Sequence, residues 1–331
     1  MQELNDESAA LVVTSPPYPM IEMWNENFSK QDNRIGEALS NNEGNKAFNL
    51  MHDLLGKVWD EVDRVLIPGG IVCINIGDAT KTIDSLYQIY PNHVKIIDYF
   101  MHKNYVLLPD ILWRKPTNSP TKFMGSGTLP PNAYVTLEHE YILILRKGNK
   151  REFKTENEKM NRRESAYFWE ERNIWFSDIW EINGINQKSK NKAGRQRTGA
   201  FPFEIAYRLI NMFSVKGDTV VDPFLGTGTT LIAAMASERN SIGYEIDTDS
   251  KEIIFDNILK SRELLNGYIE TRIQRHIDFI NKLKEQKKLK YINENHKFYV
   301  NTRQELNIKL KLIDKIIYDK ANHNIQIEYH D

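Results

Sequence analysis

Apolar residues along the chain alternate between short unbroken runs and helical spacings. Residues 10–14 form an apolar run that stops at Pro16-Pro17. Residues 48–66 carry Leu50, Leu54, Leu55, Val58, Val62, Val65 and Leu66, the three-and-four spacing of a helix with one buried face. Pro68-Gly69-Gly70 ends that helix, and residues 71–76 read as a buried strand. A further helix is predicted over residues 94–102, and a pair of strands over 111–114 and 140–147. Later come a short strand at 219–222, a Gly-rich turn at 225–230, a helix at 229–237 and a strand at 241–246. Strands alternating with helices predict an α/β fold around a mostly parallel sheet. The polar stretch 25–49, rich in Asn and Glu, reads as a loop or small insertion. Residues 115–135 read as a long loop of the kind that usually serves function. Beyond residue 251, Ile254, Ile258, Leu265, Ile269, Ile273, Ile277 and Ile280 keep a rough helical spacing and predict a mostly helical extension.

Composition narrows the class. With 331 residues, 40% hydrophobic and 27% charged, the chain has an ordinary globular make-up and no apolar run long enough to cross a bilayer. Its start, Met-Gln-Glu-Leu-Asn-Asp-Glu-Ser, is acidic and polar and lacks signal-peptide character. A lone cysteine, Cys73, excludes an internal disulfide and a multi-cysteine metal site; no metal is expected, and the usage fits a reducing cytoplasm. The 44 basic and 45 acidic residues nearly cancel, so any nucleic-acid surface must be a local concentration. One stands out: residues 187–197 hold Lys188, Lys190, Lys192, Arg195 and Arg197 and no acidic residue. They close a strongly charged, aromatic-rich segment, 148–197.

Two turns carry candidate chemistry. Asp222-Pro-Phe-Leu-Gly226-Thr-Gly228-Thr-Thr230 lies between a predicted strand and a helix, where glycines let backbone approach a nucleotide-type ligand. No lysine follows Gly228, as a phosphate-binding loop requires, and Leu231 stands where a dinucleotide site has its third glycine or alanine. Asp222 suits a cationic group, and Glu245, at the end of the next predicted strand, suits ribose hydroxyls. A ligand with an ammonium group, a ribose and no phosphate is S-adenosylmethionine. The second turn is Thr14-Ser-Pro-Pro-Tyr18. Its two prolines fix φ and remove two donors, leaving an acceptor-rich turn with a hydroxyl at Ser15 and an aromatic ring at Tyr18. Such a turn suits a planar base with an exocyclic amine.

Together and in this order, the two motifs resemble the β group of amino-methylating DNA methyltransferases, in which the catalytic motif precedes the cofactor motif by circular permutation. The likeness spans roughly residues 10–260 and includes Trp113–Pro120, Glu138–Lys147 and Gly199-Ala-Phe-Pro202; Arg197 and Thr198 stand where the family often has His-Pro. It implies a Rossmann-like S-adenosylmethionine-dependent methyltransferase sheet, mostly parallel with one antiparallel strand. It implies a catalytic half at 1–147, a target-recognition insert at 148–197, a cofactor half at 198–250 and a helical extension at 251–331. Ser15, Pro16, Pro17 and Tyr18 would hold and stack the flipped base. Asp222, Phe224, Gly226, Gly228, Thr229, Thr230, Glu245, Phe201 and Pro202 would line the cofactor site. Lys115, Asn118, Lys188, Lys190, Lys192, Arg195 and Arg197 would meet DNA phosphates, with Arg146 and Lys147 as lesser candidates.

The expected partner is double-stranded DNA in a prokaryotic cytoplasm, with a cognate restriction endonuclease acting separately and no membrane. Dimerisation, DNA clamping and plain packing are all open roles for the tail. In this family Ser-Pro-Pro goes with cytosine N4 and Asp-Pro-Pro with adenine N6, so Ser15 implies cytosine N4. Adenine N6 is the alternative; an RNA or protein amide methyltransferase and a non-enzymatic DNA-binding protein rank lower. The chemistry rests on positioning and needs no carboxylate base. Residues 297–301 are either the third strand of the cofactor half or an unrelated C-terminal strand.

Overall fold

The computed structural model describes residues 1–115, 124–184, 201–319 and 324–330. Its main sheet comprises β1 (Ala9–Thr14), β2 (Leu66–Ile76), β3 (Tyr105–Leu107), β4 (Ile111–Arg114), β5 (His139–Lys147), β6 (Ile179–Glu181), β7 (Thr219–Asp222) and β8 (Asn240–Gly243). The order is β6-β4-β5-β2-β1-β7-β8, with β3 also paired to β5. β2, β1, β7 and β8 run parallel, and β5 runs antiparallel to its neighbours. This is the mostly parallel sheet with one reversed strand that the sequence predicts.

Strand alternation builds a core on each face. Leu11 and Val13 of β1 join Ile71 and Cys73 of β2 in one cluster, against the Phe203–Phe213 helix through Ile205 and Leu209. Val12 joins Val72, Ile74 and Ile76 in the other, against Leu55 and Trp59 of the Gly44–Val65 helix. All six residues of β1 are buried, which explains its unbroken apolar run.

Several expectations change. Residues 25–49 are not a loop: they fold into the helices Glu22–Gln31 and Asn33–Ser40 and the start of Gly44–Val65. Asp32 caps the second by accepting from Arg34 N (3.0 Å), and a few apolar residues (Phe28, Ile35, Ala38) anchor an otherwise polar surface. Pro68-Gly69-Gly70 does not precede β2 but lies within it. The register moves from Ala9↔Leu66 to Leu11↔Ile71, so these residues bulge out of the ladder. Gly69 has φ +80, and a Cβ there would lie 2.5 Å from Arg151 N. β8 stops at Gly243, leaving Glu245 beyond the strand.

The tail is only partly helical. After the helices Lys251–Leu259 and Arg262–Lys284 come two hairpins, Tyr291–Ile292 with Tyr299–Val300 and Leu312–Asp319 with Asn324–His330. Residues 299–300 therefore pair in a hairpin and do not supply a third cofactor-half strand. Among the described residues, no strand pairs with the outer side of β8. Ile316, Ile325, Ile327 and Tyr329 of the last hairpin pack on the core, and Tyr329 donates to Met235 O (2.9 Å). The described part of the 148–197 segment is also built into the body. Trp175 and Trp180 are core, β6 extends the sheet, and Glu171 forms a bidentate pair with buried Arg272 (2.5 and 2.7 Å).

One buried clamp fixes the catalytic edge. Asn92, fully buried, donates to Pro19 O (3.1 Å) and Gly77 O (2.9 Å), and its Oδ1 faces His52 Nε2 at 3.0 Å. Burial holds the His52 imidazole down at about 4, below its ordinary 6.5. A base whose folded value is depressed contributes its full stability above the unfolded value and loses it as pH falls toward the folded one. Between pH 6.5 and 4 this loss amounts to about 3 kcal/mol at most. Urea melts at pH 7 and pH 4.5 should therefore show a smaller acid loss in His52→Gln than in wild type. Equal losses would contradict the neutral, half-buried imidazole.

Candidate active site

β1 and β7 are adjacent and parallel, in the register Leu11↔Val220 and Val12↔Val221, so their two turns emerge side by side. The connection from β1 goes to β2 on one flank while β7 lies on the other, the kind of switch point where open α/β sheets bind ligands. One carboxylate joins the turns. Thr14 Oγ1 donates to Asp222 Oδ1 (2.6 Å), Thr230 Oγ1 to Asp222 Oδ2 (2.6 Å) and Phe224 N to Asp222 Oδ1 (3.0 Å). Asp222 is 2% exposed, and burial pushes its carboxyl up to about 6 against the pull of these donors. It therefore faces inward as a brace, not outward toward a cationic group as the sequence suggests.

The cofactor turn needs its glycines. Gly226 (φ +57) and Gly228 (φ +89) take left-handed conformations. A Cβ on Gly226 would meet nothing within 4 Å, so that side of the turn opens to a ligand. Glu245, past the end of β8, accepts from Gly226 N (2.8 Å) and Asp247 N (2.9 Å) and is half-buried at the turn. A carboxylate beside a lysine-free glycine turn fits a ligand with ribose hydroxyls and no phosphate. Phe224 packs edge-on against Trp59 (5.7 Å), and Thr229 opens the Thr229–Met235 helix. Thr230, Phe201 and Pro202 are buried, Phe201 within the core. Thr230 is tied to the turn through Asp222 Oδ2.

The catalytic turn sits in a polar network. Ser15 Oγ lies 3.2 Å from Tyr18 Oη, which donates to Glu140 Oε2 (2.9 Å). Asn75 Nδ2 donates to Tyr18 Oη (2.7 Å) and to Glu140 Oε2 (2.8 Å). Lys115 Nζ pairs with Glu140 Oε1 and lies 4.3 Å over the Trp113 ring. Burial and the neighbouring Glu140 push the Tyr18 hydroxyl well above its ordinary 10. Its ring lies against Gly77, where a Cβ would come within 3.0 Å of Tyr18 Cε2. Pro16 is buried and Pro17 half-buried. The sequence reading missed Asn75, Asn92 and Glu140 as parts of this site. Register was the missing signal. Asn75 pairs with Ile142 and Trp113 with Glu140, and cross-strand partners share a face, so Asn75, Glu140 and Trp113 stand together.

The phosphate-contact candidates fare differently. Lys115 pairs with Glu140, Lys147 Nζ donates to Asp63 O (2.6 Å) and Leu66 O (3.0 Å), and Arg146 Nε donates to Gly148 O (3.0 Å). Asn118, Lys188, Lys190, Lys192, Arg195 and Arg197 lie outside the described residues. Trp113 is core, 1% exposed, with its indole donating to Ile182 O (2.8 Å).

A family model described as DNA methylase, of the N6/N4 type, matches residues 9–256, both turns included, and the chain belongs to this family. It is an S-adenosylmethionine-dependent DNA methyltransferase. A second model, D12 class N6 adenine-specific DNA methyltransferase, matches residues 203–329. The chain is 57% identical over 312 residues to the type II methyltransferase M.MthZI of Methanothermobacter thermautotrophicus, covering 94% of this chain and 87% of that protein. It is 54% identical over 269 residues to type II methyltransferase M.MjaI of Methanocaldococcus jannaschii, covering 78% and 88%. A DNA modification methylase from Thermus thermophilus, solved with S-adenosyl-L-methionine, superposes with a TM-score of 0.60 at 29% identity, over 78% of this chain and 88% of that one. The PvuII DNA methyltransferase shares the fold, with a TM-score of 0.52 at 17% identity over 78% and 88%. Among the described residues no helix is long and apolar enough to cross a membrane.

Proposed function

We propose that this enzyme methylates the exocyclic N4 amine of cytosine in duplex DNA. The observation that carries the reading is Ser15, whose hydroxyl stands at the head of the Pro-Pro turn directly after β1, the strand paired in parallel with β7. The methyl donor, when bound, supplies an electrophilic methyl group. The protein holds the amine. Ser15 Oγ and the Pro16 carbonyl accept its hydrogens, which draws the nitrogen lone pair out of conjugation, and the Tyr18 ring stacks on a base swung out of the duplex. Glu245 binds the donor's ribose, with Gly226, Gly228, Phe224 and Thr229 around it. Phe201 and Pro202 line the methionine part of the donor, and Asp222 and Thr230 brace the turn. The basic segment 187–197, with Asn118, contacts phosphates, and a cognate endonuclease acts as a separate protein in the same cytoplasm.

Adenine N6 methylation is the second reading, favoured by the D12 adenine-specific model. That match begins at residue 203, after the Thr14–Tyr18 turn proposed to hold the base, so it bears on the cofactor half and the tail.

Nucleoside mass spectrometry of DNA treated with purified protein should show N4-methylcytosine; N6-methyladenine would replace the first reading with the second. Ser15→Ala should lower the rate by roughly 10²–10³, the size of losing one preorganised polar contact, with cofactor and DNA binding retained. Full activity in that variant would remove Ser15 from the chemistry. For the cofactor, Glu245→Ala should weaken S-adenosylmethionine binding by about 1.5–3 kcal/mol in calorimetry, with the circular dichroism spectrum unchanged. Unaltered affinity would place the ribose elsewhere.

A further inference from the structure

We propose that Ser15, Tyr18 and Glu140 form a hydrogen-bonded wire that carries the proton shed by the target amine to the Glu140 carboxylate. The proposal rests on the reading of an amino-DNA methyltransferase and holds for the amine of either base.

The direction of the wire follows from donor chemistry. A carboxylate accepts, so the contact of 2.9 Å between Tyr18 Oη and Glu140 Oε2 uses the single tyrosine proton. Asn75 Nδ2 donates to both Tyr18 Oη and Glu140 Oε2. The opposite amide orientation would set Asn75 Oδ1 against the carboxylate. The orientation adopted leaves Oδ1 buried without a partner, so its Nδ2 contacts outweigh that loss. With the tyrosine proton directed at Glu140, Tyr18 Oη is an acceptor toward Ser15, and at 3.2 Å the serine proton points at it. Ser15 Oγ also accepts from Asn75 Nδ2 at 3.4 Å, which leaves its second lone pair for an amine N–H. Each member donates to the next, from Ser15 to Tyr18 to Glu140.

That order suits the proton balance of the reaction. As the nitrogen–methyl bond forms and the sulfur–methyl bond breaks, the sulfonium becomes a neutral thioether and the amine nitrogen takes up the positive charge. One N–H proton passes to Ser15 Oγ, the serine proton to Tyr18 Oη, and the tyrosine proton to Glu140 Oε2. The products are a neutral methylated amine, intact serine and tyrosine hydroxyls, and a protonated Glu140. Tyr18 resists ionisation in this setting, which favours passing one proton while receiving another over forming a tyrosinate. The Glu140 side chain is 16% exposed, so the carboxyl can return its proton to solvent. Glu140 touches neither base nor donor and acts through Tyr18 and Ser15 as a positioning residue.

The test uses the full chain, hypomethylated genomic DNA and S-adenosylmethionine labelled in the methyl group. Single-turnover rates are measured in H2O and D2O for wild type, Tyr18→Phe, Glu140→Gln and the double variant. Tyr18→Phe keeps the ring and removes only the hydroxyl, which separates stacking from relay. Each single variant should be slower by about 10²-fold, and the double variant no slower than either. Wild type should show a solvent isotope effect that Tyr18→Phe lacks. DNA affinity by fluorescence anisotropy, cofactor affinity by calorimetry and denaturation midpoints report on binding and folding without turnover. Affinities should stay within about twofold, as expected of groups acting on the proton alone. A wild-type rate insensitive to D2O, a Tyr18→Phe variant at full rate, or additive losses accompanied by weakened binding would overturn the wire. Mass spectrometry of the same DNA identifies the base independently, so N6-methyladenine with an intact isotope pattern would correct the base and leave the wire standing.

Discussion

The buried carboxylate of Asp222 is the constraint from which the site follows. β1 delivers the catalytic turn and β7 the cofactor turn, and parallel pairing alone leaves each turn free to take its own course past the strand ends. Thr14 at the end of β1 and Thr230 in the first turn of the next helix both donate to Asp222, and Phe224 N supplies a third donor. One side chain thus joins the turn after β1 to the turn after β7. Burial of a carboxylate without donors would cost several kcal/mol; with three donors it becomes a rigid joint. Substrate-positioning chemistry, in which small displacements matter more than acid strength, depends on such a joint.

The outer side of the catalytic turn is held in the same manner. Asn92 ties Pro19 to Gly77, and Asn75 ties Tyr18 to Glu140. Polar residues at the ends of β2 and β5 therefore surround a turn whose two prolines provide no backbone donors of their own. The turn is rigid on account of its neighbours as much as its prolines.

Local pattern revealed what depends on neighbouring residues in the chain. The all-buried β1, the β7–glycine turn–helix unit and the helical face from Phe48 to Val65 were legible because strand burial and helix spacing write themselves into consecutive residues. Elements stabilised from elsewhere were not. The Glu22–Gln31 and Asn33–Ser40 helices bury so few side chains that composition resembles a loop. The first strand of the last hairpin largely alternates half-buried and exposed residues against a surface that sequence does not reveal. The glycine turn and the Ser-Pro-Pro-Tyr turn mark the candidate site in sequence, yet Asp222 reads as a ligand group there and is braced in the fold, because only the fold brings Thr14 across 208 positions to meet it. Glu140 was hidden for the same reason: its partners come from the turn after β1, from β2 and from just past β4.

The joint itself is open to direct measurement. Labelling the aspartate side chains with carbon-13 and following Asp222 by NMR through a pH titration of the ligand-free protein reports its ionisation in place, with Asp222→Asn giving the assignment. A brace buried between two strands should titrate near about 6, above the ordinary 3.8, and should move when Thr14→Val removes one donor. A carboxyl that titrates near 3.8 and ignores the loss of Thr14 would mean that Asp222 faces solvent or ligand, and that the two turns are not joined through it.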